Sequence, residues 1–120
     1  MIKYFFVLRR QPGMSSADFH KHWKNVHAPL VAKLPGLVRY FQHHVMSIPR
    51  PEYAQDDDPI DGIVETWWES EEALHKVQGS PELQAVLSDE TRFMGHSTHY
   101  VHTLFVKETV EVLDGSRAPE

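Results

Sequence analysis

The fold of this chain is decided by the stretch Phe19-His20-Lys21-His22-Trp23-Lys24-Asn25-Val26-His27-Ala28-Pro29-Leu30. Successive helical residues are about 100° apart, so four apolar side chains of this stretch fall within one narrow arc. They are Phe19, Trp23, Val26 and Leu30. The pattern predicts a helix that packs this arc on the core and turns Lys21 and Asn25 toward solvent.

The three histidines of this helix differ in their predicted surroundings. His22 and His27 flank the apolar arc, whereas His20 lies near the solvent border. Pro29 has no N–H to donate to the carbonyl of Asn25, and it disfavours helical geometry in the residue before it. We therefore expect the helix to kink or break just after His27.

Outside this helix the sequence predicts four strands and a second helix. Runs of β-branched and aromatic residues indicate strands at 2–9, 37–46, 63–69 and 100–110. Ser15 and Ser16 provide the first helix with an N-cap, Ser70 caps the second helix, and Gly79-Ser80-Pro81 predicts a break in it. The order β-α-β-β-α-β is that of an α+β, ferredoxin-like fold, in which two helices cover one face of a four-stranded antiparallel sheet.

Both faces of the predicted strands carry apolar residues, so the face without helices also needs a cover. Pairing two sheets about a two-fold axis would bury it. We therefore expect a homodimer that forms through the sheet face.

Composition narrows the range of functions. The 120 residues suffice for one domain, predicted at 1–112 with a flexible tail at 113–120. Without cysteine, the chain has no disulfide, thiolate zinc site or cysteine nucleophile. The net charge of −5 and scattered basic residues argue against nucleic acid as a partner. No apolar run is long enough to cross a membrane and no signal peptide is recognised, so we expect a cytoplasmic protein.

Several segments resemble the EthD family of dimeric α+β barrel proteins. They are Met1-Ile2-Lys3, Phe19-x-x-His22-Trp23-x-x-x-His27-Ala28-Pro29-Leu30, Leu34-Pro35-Gly36-Leu37-x-x-Tyr40, Asp61-Gly62-x-x-Glu65-x-Trp67 and Phe105-Val106-Lys107-Glu108. This family and its barrel relatives include a methylmuconolactone isomerase, polyketide cyclases, dehydratases and cofactor-independent monooxygenases. In the lactone isomerase a helical histidine and a second-strand tyrosine serve the reaction, and the resemblance places these roles on His27 and Tyr40. A cysteine of that enzyme falls on Thr66 here.

The alternation of side chains along strands predicts a pocket without use of the family. If Tyr40 faces the helices, so do His44 on its own strand and the matching residues of the neighbouring strands, while Glu65 and Trp67 face the sheet interface. The predicted catalytic residues are His27 and Tyr40, and the predicted substrate-binding residues are Tyr4, Phe6, His22, Trp23, His44, Thr66 and Trp68. Such a pocket suits a small apolar or aromatic substrate with a carbonyl or hydroxyl group.

Nine histidines are many for this length and raise the question of a metal or haem site. His20 and His22 diverge on a helix, and His43 and His44 point to opposite faces of a strand. His96, His99 and His102 form a cluster only if that segment is helical, and Asp56-Asp57-Asp58 is typical of a solvated loop. We therefore predict no metal and no cofactor.

Three functions remain open from the sequence. The first is a cofactor-independent isomerase or lyase (tautomerisation, dehydration or lactone rearrangement) that uses His27 and Tyr40 for acid–base chemistry on a small cyclic or aromatic metabolite. The second is a protein that binds a small molecule without transforming it or assists a degradative oxygenase, favoured because no acid is predicted to orient His27. The third is a cofactor-free or haem-dependent monooxygenase.

Overall fold

The computed structural model describes residues 1–46, 60–95 and 103–117. The predicted loop with Asp56-Asp57-Asp58 and the cluster of His96, His99 and His102 lie outside these residues.

Four strands form one antiparallel sheet, as predicted. They are β1 (Ile2–Leu8), β2 (Leu37–His44), β3 (Gly62–Trp68) and β4 (Leu104–Phe105), in the spatial order β2-β3-β1-β4. The central pair aligns Tyr4 with Thr66, and Tyr40 lies opposite Thr66 from the other side. This is the ferredoxin-like arrangement, and it brings three polar pocket residues into one row across the sheet.

The helices are α1 (Ser16–His22), α2 (Ala28–Val31), α3 (Glu71–Val77) and α4 (Pro81–Glu90), with a π-helix at Trp23–His27 between α1 and α2. Serine side chains cap three of them, because Ser15, Ser70 and Ser80 each accept a hydrogen bond from the backbone N–H three residues ahead. Gly79, at a positive φ of 76°, separates α3 from α4. The predicted caps and the predicted break are confirmed.

Of the predicted kink or break after His27, the break is wrong, because the helix widens instead. The N–H of Ala28 donates to the carbonyl of Trp23, five residues back, and the chain then continues as α2 through Pro29. A π-turn relaxes the four-residue spacing at which a proline ring would clash with a carbonyl.

The wider turn also changes which residues face the core. The inward row consists of every fourth residue, with exposed fractions of 0% for Phe19 and Trp23, 5% for His27 and 6% for Val31. Val26, predicted to be a core residue, is 44% exposed. The π-turn therefore moves His27 from the predicted flank of the helix to the centre of its buried face.

The two sheet faces differ as the alternation predicts. On the helix side of β3 the side chains of Val64, Thr66 and Trp68 are buried, whereas Glu65 and Trp67 on the other side are partly exposed. The core lies between the sheet and the helices in two clusters, one around Phe19, Trp23 and Phe93 and the other around Trp68. The gap between these clusters is where the candidate site lies.

The last predicted strand is shorter than expected. Of residues 100–110, only Leu104 and Phe105 pair with β1, although the stretch to residue 102 is outside the described part. Residues 106–117 contain no helix or strand and expose Val110, Val112 and Leu113. Lys3 holds this segment at two points, since its carbonyl accepts a hydrogen bond from the N–H of Val106 at 2.9 Å and its Nζ donates to Thr109 Oγ1 at 3.0 Å.

Candidate active site

A cavity of about 160 Å³ separates the helices from the sheet. An engineered cavity of about 150 Å³ binds benzene, so this space accommodates a ring, and it is partly open to solvent. Its lining is mainly apolar and includes seven of the nine residues predicted for the pocket: Tyr4, Phe6, Trp23, His27, Tyr40, Thr66 and Trp68. The other two, His22 and His44, do not line it.

A buried carboxylate joins the two histidines that flank the π-turn. Asp89 of α4 is 3% exposed, and its Oδ2 lies 2.8 Å from Nδ1 of His27. His22 Nε2 lies 3.0 Å from both oxygens of the same carboxylate. The ring of Phe93 packs against both imidazoles, with centroid distances of 4.9 Å to His22 and 4.8 Å to His27. The histidines are therefore held by one acid and one aromatic ring.

This hydrogen bond fixes the tautomer of His27. A carboxylate only accepts hydrogen bonds, so Nδ1 of His27 must carry the proton that it donates to Asp89. In the neutral ring Nε2 is then the nitrogen with a free lone pair. Burial lowers the pKa of His27 below its ordinary value, while the hydrogen bond and charge of Asp89 oppose that shift. His27 is thus a neutral, oriented imidazole able to accept a proton in the cavity.

Tyr40 is held from the opposite side of the cavity. Nε2 of Gln42 donates to the Tyr40 hydroxyl oxygen at 2.8 Å and to the carbonyl of Trp23 at 2.9 Å. Because Gln42 supplies a donor, the hydroxyl of Tyr40 keeps its own proton for another acceptor. Burial raises the pKa of Tyr40 to about 12, so the group is a neutral donor near neutral pH.

His44 supports this tyrosine from outside the cavity. Its Nε2 lies 2.9 Å from Oε1 of Gln42, and its Nδ1 lies 2.7 Å from Nδ1 of the surface residue His20. The ring of His44 also packs on Trp23 at a centroid distance of 4.3 Å. The prediction that His44 lines the pocket is wrong, because the strand carries it past the edge of the cavity. It orients Gln42, which in turn contacts Tyr40.

The floor of the cavity is formed by polar groups that contact each other. Trp68 Nε1 donates to Thr66 Oγ1 at 3.0 Å. Burial raises the pKa of Tyr4, while contacts with Thr66 and Trp68 oppose that shift. Among the described residues, the buried Nε1 of Trp23 has no acceptor within hydrogen-bond geometry. It lies near the hydroxyl of Tyr40 and opposes the rise in the pKa of that group.

Two acidic residues of α4 complete the site, and the sequence analysis missed both. Asp89 orients His27, so the expectation that no acid does so is wrong. Glu90 lines the cavity itself, and burial, followed by the charge of Asp89, raises its pKa to about 7. A signal for both is present in the sequence, because Asp89 and Glu90 continue the apolar spacing of Leu83 and Val86 along the helix. Acids at core positions of an amphipathic helix indicate a polar site beneath it.

Within residues 1–46, 60–95 and 103–117, no three histidine or acidic side chains converge as metal ligands.

Comparison with known proteins identifies the family of this chain. The EthD domain family matches residues 11–97. The chain belongs to the EthD family. A conidial pigment biosynthesis dehydratase EthD of Metarhizium robertsii is 31% identical over 113 residues, which cover 85% of this chain and 80% of that protein. The family thus includes a relative that is named as an enzyme.

Solved structures share the fold of this EthD protein. An ethyl tert-butyl ether D family protein of Bacillus halodurans superposes with a TM-score of 0.59 at 22% identity, covering 88% of this chain and 95% of that one. A dimeric ferredoxin-like protein of unknown function from Thermobifida fusca superposes with a TM-score of 0.58 at 16% identity, covering 88% and 86%.

Among the described residues, no helix has the length and apolar character that crossing a membrane requires.

The Asp89–His27 bond leads to a prediction about protonation. Asp89→Asn removes a negative charge that raises the pKa of His27, so that pKa falls further below its ordinary value. We also expect a loss of roughly 1–3 kcal/mol in the free energy of unfolding. NMR titration of the imidazoles measures the pKa, with His43 as the control because its acidic neighbour is Glu65. A higher or unchanged His27 pKa would contradict the assignment.

Glu90 leads to a prediction about stability and pH. Its pKa of about 7 in the folded protein lies above the unfolded value, so its charge destabilises the fold increasingly as pH rises from about 4 to 7. Glu90→Gln should therefore change little below pH 4 and stabilise the protein by roughly 1–3 kcal/mol above pH 7.

Urea unfolding at pH 4 and pH 8 measures this difference. Glu82→Gln is the control, because Glu82 lies exposed in the first turn of α4, where a negative charge is favourable. That variant should be slightly destabilised at pH 8. A Glu90→Gln variant with the same stability difference at both pH values would refute the raised pKa.

Proposed function

We propose that this protein is a cofactor-independent lyase or isomerase that removes a proton from the carbon next to a carbonyl of a small cyclic or aromatic metabolite. The observation that carries the proposal is the 2.8 Å bond from His27 to buried Asp89 at the wall of a cavity that Tyr40 also lines. A base with a fixed tautomer and a neutral donor on the same cavity are the two groups that enolisation needs.

The proposed step assigns one task to each group. Nε2 of His27 takes the proton from carbon, and the carboxylate of Asp89 stabilises the imidazolium that results. Tyr40 donates its hydroxyl proton in a hydrogen bond to the carbonyl oxygen as negative charge develops there. The mainly apolar lining lowers the polarity around both interactions, which strengthens them.

Dehydration is the member of this reaction class that the comparisons favour. The relative from Metarhizium robertsii is named as a dehydratase of pigment biosynthesis. Loss of water from a carbonyl compound forms a carbon–carbon double bond and extends conjugation, which is the property that a pigment requires. Enolisation is a first step of that reaction and needs no cofactor.

The second function from the sequence, a protein that binds a small molecule without transforming it, loses its main support. It was favoured because no acid was predicted beside His27, and Asp89 is that acid. The third alternative, a cofactor-free or haem-dependent monooxygenase, gains no specific observation from the described residues. The absence of a cofactor and a cytoplasmic location stay predictions from the sequence.

Deuterium exchange tests the proposed function directly. In D₂O the protein should catalyse incorporation of deuterium at the carbon next to the carbonyl of 1-tetralone, as followed by mass spectrometry. His27→Gln should slow this exchange about 10²–10⁴-fold and Tyr40→Phe about 10²–10³-fold. His75→Gln is the control, since His75 is exposed on α3. Absence of exchange by the unaltered protein, or full exchange by His27→Gln, would overturn the proposal.

We also propose that the chain forms a homodimer through the outer sheet face, the side of β1, β2 and β3 that carries no helix. Phe41 is 37% exposed there, and Trp67 packs against Lys3 and Arg39 at 4.5 and 4.8 Å from its ring centre. The fold neighbour from Thermobifida fusca is described as dimeric. Aromatic residues and arginine, such as Phe41, Trp67 and Arg39 of this patch, are enriched at protein interfaces.

Sedimentation equilibrium at micromolar concentration tests the dimer. The protein should have twice the chain mass of 13.9 kDa, and Phe41→Glu should shift it toward the monomer. Val26→Glu is the control, because Val26 is comparably exposed on the helix side. A monomeric unaltered protein would refute the dimer without touching the proposed chemistry.

A further inference from the structure

We propose that Glu90 is the general acid of the site, that it protonates a departing hydroxyl group, and that the substrate is therefore a cyclic β-hydroxy ketone. This inference rests on the proposed function, because it assigns the second half of a reaction that His27 begins. It adds a catalytic residue and narrows the substrate to compounds with a hydroxyl group two carbons from the carbonyl carbon.

The position of Glu90 differs from that of its neighbour Asp89. Adjacent helical residues point about 100° apart, so one carboxyl group of α4 meets the histidines while the next one lines the cavity. Glu90 is the only carboxyl-bearing residue among the described residues that line this cavity. The two acids therefore serve different purposes, one orienting the base and the other facing the substrate space.

The surroundings of Glu90 favour its protonated form. It is partly buried, its neighbour Asp89 carries a negative charge, and it is the last residue of α4, where the helix dipole also disfavours a negative charge. The other titratable groups at this cavity are His27, Tyr4 and Tyr40. Its pKa of about 7 is well suited to donation at neutral pH, since an acid with a pKa near the working pH is the most effective one.

The other donors that line the cavity are weaker acids than Glu90. Burial raises the pKa of Tyr4 and raises that of Tyr40 to about 12. The hydroxyl of Thr66 and the amide of Gln78, which also line the cavity, do not ionise near neutral pH. A leaving hydroxyl group needs a proton to depart as water, and Glu90 is the acid that the cavity provides.

The complete step is balanced. His27 Nε2 takes the proton from the carbon next to the carbonyl, and that C–H electron pair forms the new carbon–carbon double bond. The C–O bond to the hydroxyl group breaks, and its electron pair leaves with the oxygen. The oxygen takes the proton of the Glu90 carboxyl group and departs as water. Transfer of the proton from His27 to Glu90 through solvent restores the site without any oxidant or reductant.

Two probes separate this inference from the proposed function. Exchange at 1-tetralone needs the base and Tyr40 but no acid for a leaving group, because that ketone has no hydroxyl group to lose. Conversion of 3-hydroxy-1-tetralone to 1-naphthol and water also needs the acid, and naphthol is followed by its fluorescence. Glu90→Gln should slow elimination about 10²–10⁴-fold more than it slows exchange. Glu82→Gln, exposed on the same helix, should leave both rates unchanged.

Each outcome has one meaning. Loss of elimination alone in Glu90→Gln supports Glu90 as the general acid. Equal rates of elimination in Glu90→Gln and the unaltered protein refute it, and so does a protein that exchanges 1-tetralone but never forms naphthol. If Glu90→Gln loses both reactions in parallel, its role is structural and the inference fails. If the unaltered protein does not catalyse exchange, the proposed function itself fails.

Discussion

The site depends on one buried interaction, the carboxylate of Asp89 between the imidazoles of His22 and His27. A buried carboxylate is tolerated only when donors satisfy it, and here two ring N–H groups do so at 3.0 and 2.8 Å. The interaction joins α4 to the π-helix across the molecule. It therefore stabilises the packing of α4 on the neighbouring helix and fixes the base in the same contact.

The π-turn is the second constraint, because it decides which histidine Asp89 can reach. A regular α-helix would place Val26 toward the core and His27 on the flank. The additional residue in the turn rotates His27 inward, directly behind Trp23 in the buried row. π-turns within α-helices are often found at functional sites, and in this chain the turn carries the proposed base.

The low polarity of the cavity gives its ionisable side chains different roles in proton transfer. Burial lowers the pKa of His27 and raises the pKa values of Tyr40 and Glu90, so each of the three groups is favoured in its neutral form. A neutral imidazole accepts a proton, whereas a neutral phenol and a neutral carboxylic acid donate one. By favouring the neutral forms, the low polarity of this cavity provides one proton acceptor and two proton donors.

The sequence by itself determined the order of strands and helices, the serine caps, the EthD resemblance and the side of the sheet on which Tyr40 and Thr66 lie. These features depend on local periodicity and on turn chemistry, which a sequence records directly. It also singled out His27, although for a position on the helix flank. The predicted core position of Val26 and the predicted break before Pro29 were wrong because both assumed an ideal α-helix. The predicted place of His44 in the pocket was wrong because it depended on how far the strand extends past the cavity.

Only the tertiary structure decided that Asp89 orients His27 and that Glu90 lines the cavity. The two partners are 62 residues apart, and nothing in local spacing states which helix packs on which. A charged residue on an amphipathic helix commonly faces solvent. The burial of Asp89 can therefore be recognised only when the packing of His22 and His27 against it is known. The physical reason is that a site of this kind is stabilised by donors and acceptors from separate elements, and their pairing exists only in the folded chain.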